Sequence, residues 1–354
     1  MAKIIMNMEL TKKDTQMAKG IAILAMVMLH LFCRRDNLPY TPLIWFGDLP
    51  MIYYLGLFGD LCVPVYCFCS GYAHYLIADR QQADYPKRIP GKALRFLANY
   101  WIVLILFSGL GLIFDKTGRV PGGLSDFIGN LLIYNMNYNG AWWFVSTYLL
   151  LLLMSPALAA LTKKLNGIVL ISASFGLYFA AYVLRFKLVL TLPNPVLQWL
   201  WNQMILLGTS QFGYFAGMIC RRYGLIGMLR EQLKDHDAIR LGIVFGFPLT
   251  AFLAHCVVNS AFVAPFTAAA VLIALFLVKL PEWAEKLFLL FGAHSTNIWL
   301  VHMFFYASLF ADFVFIGKYP LFILALMLAV CFASSAVIER IYRRVLVCIE
   351  RLPI

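Results

Sequence analysis

Apolar runs long enough to cross a lipid bilayer recur along this chain from one end to the other. A hydrocarbon core of about 30 Å needs roughly 20 apolar residues in a helix, because lipid offers the backbone no hydrogen bonds. With 62% hydrophobic and only 13% charged residues, the composition lies outside the range of soluble globular domains. The pattern predicts an all-α, polytopic membrane protein with about ten transmembrane helices, at approximately 17–33, 52–77, 97–114, 141–161, 167–184, 200–219, 241–258, 261–279, 287–310 and 319–338.

The segments between the predicted spans are too short to fold by themselves. The longest, about 78–96 and 220–240, are basic and lack the length that a separate core needs. The N-terminal segment is polar, and no small-residue cleavage site follows the first apolar run, so we expect an anchored span rather than a leader. The sequence therefore predicts one integral-membrane domain over residues 1–354, without a separate soluble domain.

Basic residues are distributed unevenly between the two sides of the predicted spans. With the N-terminus inside, 22 of the 29 lysine and arginine residues fall in inside segments and 7 in outside segments. Cytoplasmic loops carry an excess of these residues, so both termini are predicted to be cytoplasmic, in what we expect to be a bacterial inner membrane. This topology accounts for the net charge of +12, and we expect membrane lipids but no nucleic acid as partners.

The eight cysteines lie almost entirely within apolar runs or at their ends, where a free thiol behaves as a small hydrophobic group. No group of cysteine and histidine residues has the spacing of a metal site. We therefore predict no metal and no disulfide framework.

The first predicted span carries a cation and an imidazole on one face. Lys19 and His30 are 11 residues apart in the sequence, which on an α-helix is about 20° around the axis and roughly 16 Å along it. Ionisable groups at such depth usually line an aqueous cavity or pair with other groups. From these residues alone, the alternative is that Lys19 reaches the headgroups and His30 bonds to a neighbouring helix.

Further polar residues lie within other predicted spans. Asp60 is near the outer end of the second span, where it either orients His30 or faces the outer aqueous layer. Ser70, deeper in the same span, is placed to bond a substrate or a backbone carbonyl. His302 and His255 are further imidazoles in the ninth and seventh spans, and such histidines more often join helices than catalyse.

Two more clusters occupy the ends of predicted spans. Lys92 and Arg95 share a helical face at the inner entry of the third span, where they can bind the phosphates of a cytosolic ligand or anionic lipids. Trp142 and Trp143, at the outer entry of the fourth span, fit either an interfacial aromatic belt or stacking on a sugar.

Taken in order, these motifs resemble the acyltransferase family 3 of membrane proteins over nearly the whole chain. That family begins with a basic residue, ten residues and a histidine, as in Lys19 and His30. The further matches are Val63-Pro64 and Ser70-Gly71-Tyr72, the basic entry Lys92 and Arg95 before Tyr100-Trp101, Trp143-Phe144 to Pro156-Ala157-Leu158, and Ser295 to His302.

The sequence departs from the family pattern at two places. Lys19 stands where arginine is common, which keeps the charge but loses the bidentate guanidinium. Many relatives have a glutamate soon after the Trp-aromatic pair, whereas this chain has Ser146-Thr147-Tyr148. A role of that glutamate does not carry over to this protein.

The resemblance implies transfer of an acyl group, usually acetyl, from cytosolic acyl-CoA to a hydroxyl or amine. The acceptor would be a cell-envelope glycan, a lipid-linked sugar or an exported small molecule, and His30 would be the general base or carry the acyl group transiently. The implied roles are catalytic for His30, Asp60, Ser70 and His302, CoA-binding for Lys19, Lys92 and Arg95, and substrate-binding for Tyr72, Trp142 and Trp143.

Two other classes of protein fit the residues alone. One is a secondary transporter or flippase of a polar solute or lipid-linked sugar, and the other is a sensor or assembly scaffold without chemistry. Acidic coupling residues are scarce within the predicted spans, where Asp60 is nearly alone. This scarcity favours an enzyme over a proton- or sodium-coupled carrier.

Overall fold

The structure of this protein, a computed structural model, describes residues 9–349. The two ends that the sequence predicts to be cytoplasmic, 1–8 and 350–354, lie outside the described residues. In chain order the α-helices are α1 Lys12–Phe32, α2 Met51–Leu57, α3 Cys62–Gln81, α4 Ile89–Phe114, α5 Leu124–Leu131, α6 Trp143–Lys164, α7 Gly167–Phe186, α8 Pro195–Tyr223, α9 Leu225–Leu233, α10 Asp237–Val258, α11 Ala264–Leu277, α12 Glu282–Tyr306, α13 Ala311–Phe315 and α14 Pro320–Ile349.

Strands contribute very little to the described part of the chain. Between residues 9 and 349, β1 (Trp45–Phe46) and β2 (Leu49–Pro50) form the one sheet, an antiparallel hairpin in which Trp45 pairs with Pro50. Nearly all other regular structure is helical, which confirms the predicted all-α class.

Eight helices of the described residues are long and apolar enough to cross a membrane, and each coincides with a predicted span. The two remaining predicted spans also fold as helices. Of these, α8 carries Gln198, Asn202 and Gln203 and is less apolar, and the helical segment Ala261–Leu277 is shorter than a typical span. The total of ten crossings therefore stays a prediction, while an integral membrane protein is well supported.

Several helix ends coincide with residues that favour such ends. Asn166 caps α7, because its side chain accepts hydrogen bonds from the N–H groups of Ile168 and Val169. Asn194 caps α8 in the same way and is followed by Pro195 at the first helical position. At the other end of α8, Gly224 takes the left-handed conformation, with φ of 64°, so the chain turns directly into α9.

The described residues divide into two compact units, and α1 contributes residues to both. The helices α3, α7, α8, α10 and α11 belong to the first unit, whereas α4, α5 and α14 belong to the second. A single domain over 1–354 stays a prediction. The first unit comprises 9–26, 57–86 and 150–293, and the second comprises 27–56, 87–149 and 294–349.

In the first unit, α3 and α8 pack with their backbones in contact. A Cβ atom added to Gly71 would lie 2.0 Å from the carbonyl oxygen of Tyr214, and one added to Gly217 would lie 2.1 Å from that of Phe68. Small residues permit this close approach, which supplies packing contacts where lipid gives little hydrophobic driving force. The glycine of the Ser-Gly-Tyr motif thus serves helix packing.

In the second unit, α4 packs against α14 and against the short helix α5. The hydroxyl of Tyr100 donates to the carbonyl oxygen of Asn130 at 2.7 Å, and the indole N–H of Trp101 donates to that of Leu131 at 3.0 Å. Both acceptors lie at the C-terminal end of α5, where helix carbonyls lack intrahelical donors. The Tyr-Trp pair after the basic entry of the third span therefore anchors α5.

Candidate active site

Two histidines contact each other in the second unit. His30 lies in the last turn of α1, and His302 lies on α12. The His30 Nδ1 atom is 2.6 Å from the His302 Nε2 atom, and the two rings are nearly parallel, with centroids 4.8 Å apart. His302 is completely buried, whereas His30 keeps part of its surface exposed. The structure thus brings the two predicted imidazoles together.

The hydrogen bonds of the pair determine which nitrogen carries each proton. The Nδ1 atom of His302 is 2.8 Å from the carbonyl oxygen of Trp299, which can only accept, so this nitrogen carries the proton. In neutral His302 the Nε2 atom is then an acceptor, and His30 donates to it from Nδ1. The Nε2 atom of His30 is left with a lone pair, and no group of residues 9–349 hydrogen-bonds to it. That atom can accept a proton from a bound molecule.

Two residues that sequence reasoning missed extend this cluster. The ring of Tyr306 stacks on both imidazoles, with centroid distances of 6.0 Å to each. The guanidinium of Arg34 lies over the rings of Tyr306 and Phe315, at 5.7 Å and 5.8 Å from their centroids. Helical spacing could have indicated Tyr306, because it follows His302 by four residues on α12, whereas Arg34 lies beyond the end of α1 and no spacing rule indicates it.

A set of hydrogen bonds holds the start of α6 against α12. The amide of Asn139 and the indole N–H of Trp142 both donate to the carbonyl oxygen of Leu300, each at 2.9 Å. In return, the indole N–H of Trp299 donates to the carbonyl oxygen of Ala141 at 3.1 Å. These bonds fix the segment of α12 whose Trp299 carbonyl orients His302.

The surroundings of the two predicted sugar-binding tryptophans differ. Trp142 is completely buried, its ring packs against Tyr100 and Phe304, and its indole N–H bonds to α12. Its substrate-binding role stays a prediction. Trp143 keeps partial exposure and contacts Phe144, and its substrate-binding role stays a prediction.

Asp60 pairs with a histidine other than the one that the sequence suggested. In the first unit its Oδ2 atom lies 3.0 Å from the Nε2 atom of His255, which is almost completely buried. Asp60 Oδ1 and His255 Nδ1 are also buried and have no hydrogen-bond partner among the described residues. The structure thus gives His30 and Asp60 different partners, and a catalytic role of Asp60 stays a prediction.

Lys19 and Ser70 lie in the first unit with few polar contacts. The backbone carbonyl of Lys19 accepts a hydrogen bond from the Tyr66 hydroxyl at 3.4 Å, while its ammonium group forms no ion pair within residues 9–349. The hydroxyl of Ser70 likewise makes no hydrogen bond to the described residues. Both side chains are half-buried, so both remain candidates for contact with a bound molecule.

Tyr72 is engaged in a buried network of the first unit. Its hydroxyl donates to the carboxylate of Glu9 and accepts a hydrogen bond from the N–H of Leu10 at 3.1 Å. Glu9 also accepts from the N–H of Gly227 at 2.8 Å, with Arg221 3.9 Å away. Because Tyr72 is only 2% exposed, this network favours a structural role over the predicted substrate contact.

The two basic residues of the third predicted span lie together in the second unit. Lys92 and Arg95 are in the first two turns of α4, one turn apart on the same face, with Arg88 immediately before the helix. Arg95 is exposed and Lys92 is half-buried. This arrangement presents several cationic donors at one end of the helix.

Among residues 9–349, no three His, Cys, Asp or Glu side chains are grouped so that they could hold a metal ion. All eight cysteines are free thiols.

Comparison with known proteins places the chain in a family. A family model described as an acyltransferase domain matches residues 15–339. Neither curated proteins nor solved structures give a match. The family match spans nearly all of the described chain, including both members of the histidine pair. It confirms the resemblance seen in the motifs: the chain belongs to the acyltransferase family 3 and is supported as a membrane acyltransferase.

Proposed function

We propose that this protein transfers an acyl group, most commonly acetyl, from cytosolic acyl-CoA to a hydroxyl of a cell-envelope glycan, a lipid-linked sugar or an exported small molecule. The family match supports the transferase class. The observation that carries the catalytic assignment is the open lone pair on His30 Nε2, which results from the bond between His30 and His302. A neutral imidazole with an open lone pair can take the proton of a bound hydroxyl, which is the role of a general base.

In the proposed reaction, His30 Nε2 removes the proton of the acceptor hydroxyl. The acceptor oxygen then forms a bond to the thioester carbonyl carbon, the carbon–sulfur bond breaks, and the leaving CoA thiolate takes the proton from His30. While His30 is positively charged, its Nδ1–H still donates to His302 Nε2. His302 therefore serves as a neutral orienting group, in the position that a carboxylate takes in a Ser-His-Asp triad.

The same lone pair offers a second route. His30 Nε2 could itself form a bond to the thioester carbonyl carbon and carry the acyl group before the acceptor takes it. Mass spectrometry of the intact protein after incubation with acetyl-CoA alone distinguishes the two routes, because only the relay adds one acetyl mass to the protein.

For the donor, we propose that Lys92 and Arg95 bind CoA phosphates at the cytoplasmic side. Guanidinium and ammonium groups bind phosphate oxygens well, and both residues share one face of α4. Lys19 stays a prediction for donor binding, and Ser70 for acceptor positioning. The proposed orientation, with ten crossings and both termini cytoplasmic in a bacterial inner membrane, places the start of α4 on the side that holds acyl-CoA.

The test compares cells that produce wild-type protein, His30→Ala, His236→Ala or no protein. His236 is an exposed histidine outside the pair and serves as the matched control. Mass spectrometry of envelope glycans and exported metabolites should reveal one acyl mass that wild type and His236→Ala add. His30→Ala should reduce this product by about 10²–10⁴-fold at equal protein level, the range of general-base catalysis.

Two outcomes would contradict the proposal. Full product with His30→Ala would exclude His30 as base and as relay. The absence of any wild-type-dependent acyl mass, together with export of an unmodified solute, would instead favour the carrier.

A further inference from the structure

A cavity of about 390 Å³ lies in the first unit, whereas the histidine pair belongs to the second unit. Its walls come from the start of α1, from α9 and the start of α10, from the end of α11 and the segment that follows it, and from Glu285 at the start of α12. The volume falls within the range of roughly 300–1,000 Å³ that is typical of small-molecule sites. In the proposed orientation, this cavity opens on the cytoplasmic side.

Cations outnumber carboxylates in the lining of this cavity, five to two. The acidic members are Asp14 and Glu285. The basic members are Lys13, Arg230, Lys234, Arg240 and Lys279.

Lys279 differs from the other four cations. Each of those has a carboxylate within ion-pair distance, for example Arg240 with Asp237 at 2.5 Å and Arg230 with Asp14 at 3.6 Å. Lys279 is exposed and has no ion-pair or hydrogen-bond partner among residues 9–349. The backbone N–H groups of Lys279 and Leu280, in the non-helical segment, also have none within that range. Residues 279–280 of the lining therefore carry several hydrogen-bond donors that have no acceptor among the described residues.

The existing ion pairs would not prevent an anion from binding. Lys234 pairs with Glu231 and Arg240 with Asp237, and both cations are well exposed, with 52% and 36% of their side-chain surface accessible. Exposed pairs of this kind contribute little to stability, because water screens the two charges. The hydrogen bond that the Lys234 ammonium donates to the Glu231 carboxylate raises the pKa of Lys234, so this side chain stays charged at physiological pH. A phosphate can share both cations with their present partners.

The remaining wall is apolar and firmly supported. It is formed by residues 275–278 together with Met17. Behind it, Leu233, Val244 and Leu277 belong to a buried cluster that packs α9, α10 and α11 together. The guanidinium of Arg230 donates to the carbonyl oxygen of Phe276 at 2.8 Å, which fixes the wall to α9. The cavity thus combines cationic side chains on one side with an apolar wall of Met17 and residues 275–278.

We propose that this cavity binds a phosphate-bearing headgroup, with Lys279, Lys234 and Arg240 contacting the phosphate and residues 275–278 contacting the adjoining apolar part. The ligand is either an anionic phospholipid or the nucleotide end of acyl-CoA. Both carry phosphate next to a less polar portion, and ammonium and guanidinium groups recognise both. Binding of a phospholipid here is independent of the proposed reaction, whereas binding of acyl-CoA here rests on that reaction and gives the donor a site other than Lys92 and Arg95.

The experiment uses full-length protein purified in a neutral detergent and two probes. Adenosine 3′,5′-bisphosphate is titrated by calorimetry, and retention of phosphatidylglycerol against phosphatidylcholine is measured by native mass spectrometry. The double variant Lys279→Gln/Arg240→Gln is compared with wild type, with the charge-retaining Lys279→Arg, and with Lys116→Gln, a control in the loop after α4 of the second unit. Thermal unfolding confirms that each variant is folded.

We expect the double variant to lose about tenfold or more in affinity for one of the two probes, while Lys279→Arg and Lys116→Gln remain like wild type. Loss confined to the nucleotide identifies acyl-CoA as the source of the phosphate, and loss confined to phosphatidylglycerol identifies lipid. Binding of both probes that is unchanged in the double variant, or absent in wild type, would overturn the site. The proposed reaction is judged separately, because Lys92→Gln/Arg95→Gln in the same titration tests the donor site of the second unit.

Discussion

At the scale of single residues, the carbonyl oxygen of Trp299 determines the chemistry of the histidine pair. This oxygen can only accept a hydrogen bond, so the proton of neutral His302 lies on Nδ1. The Nε2 atom of His302 is then the acceptor of the hydrogen bond from His30 Nδ1. A carboxylate at the position of His302 would orient His30 in the same way but would add a buried negative charge. The neutral partner avoids the desolvation cost of that charge.

Replacement of His302 should therefore impair catalysis more than folding. In His302→Leu, the His30 Nδ1–H loses its acceptor and the imidazole its orientation, so we expect a loss of about 10–100-fold in kcat, as for other orienting residues. His302→Gln offers a carbonyl oxygen as an acceptor and should recover part of the lost kcat. The measurement is CoA release by purified protein with the acceptor that the comparison of envelope glycans and exported metabolites identifies, and kcat and KM are determined separately.

The control for this prediction lies on the same helix. His294 bonds to the Ser335 hydroxyl at 2.8 Å within the second unit, and His294→Leu should leave kcat within about twofold of wild type because that bond only joins helices. Equal kcat losses in His302→Leu and His294→Leu would mean that both histidines act through packing.

At the scale of helices, the contact between α3 and α8 depends on glycine. A methyl group at Gly71 would lie 2.0 Å from the Tyr214 carbonyl oxygen, which belongs to backbone and cannot rotate away. The two helices would have to separate, and the contacts between Gly217 and Phe68 would be lost with them.

We therefore expect Gly71→Ala to lower the free energy of unfolding by about 1–3 kcal/mol, the usual cost of overpacking. Gly176→Ala on α7 is the matched control, because no atom outside its own turns of helix backbone lies within 4 Å of the added Cβ. That change should be neutral or stabilising by up to about 1 kcal/mol, since alanine favours the helix. Thermal unfolding of both variants in one detergent measures the difference, and equal midpoints would contradict the close contact.

At the scale of the whole molecule, the number of crossings determines which loops face the cytoplasm. The two helices in question are α8, which is polar, and the shorter helical segment Ala261–Leu277. If ten helices cross, the chain before and after each of these must lie on opposite sides of the membrane.

An impermeant thiol reagent applied to intact cells tests this directly. In a Cys348→Ser background, which removes the exposed native thiol, single cysteines replace Lys187 and Asp235 on either side of α8, and Asn259 and Leu280 on either side of Ala261–Leu277. We expect labelling at 187 and 259 and protection at 235 and 280. Permeabilised cells, where all four should react, are the control. If both cysteines of a pair are labelled, or both are protected, the helix between them does not cross the membrane and the number of crossings is below ten.

The sequence alone was sufficient to indicate the helical membrane class, the eight helices that are long and apolar enough to span, and His30 and His302 as candidate site residues. These follow from local rules, because an apolar run of sufficient length must become a helix in lipid and an imidazole inside such a run is exceptional. The order of the motifs along the chain also indicated the family, and the family match over residues 15–339 confirms that resemblance. The catalytic roles of these histidines remain predictions, since they concern chemistry.

Only the tertiary structure decided which polar groups are partners. His30 meets His302 across 272 positions of sequence, and Asp60 meets His255 across 195. Helical periodicity gives the face of a residue but not the helix that the face contacts, so spacing could not distinguish His30 from His255 as the partner of Asp60. For the same reason the sequence could not show that Trp142 and Tyr72 are buried and hydrogen-bonded within their units, and their substrate-binding roles stay predictions.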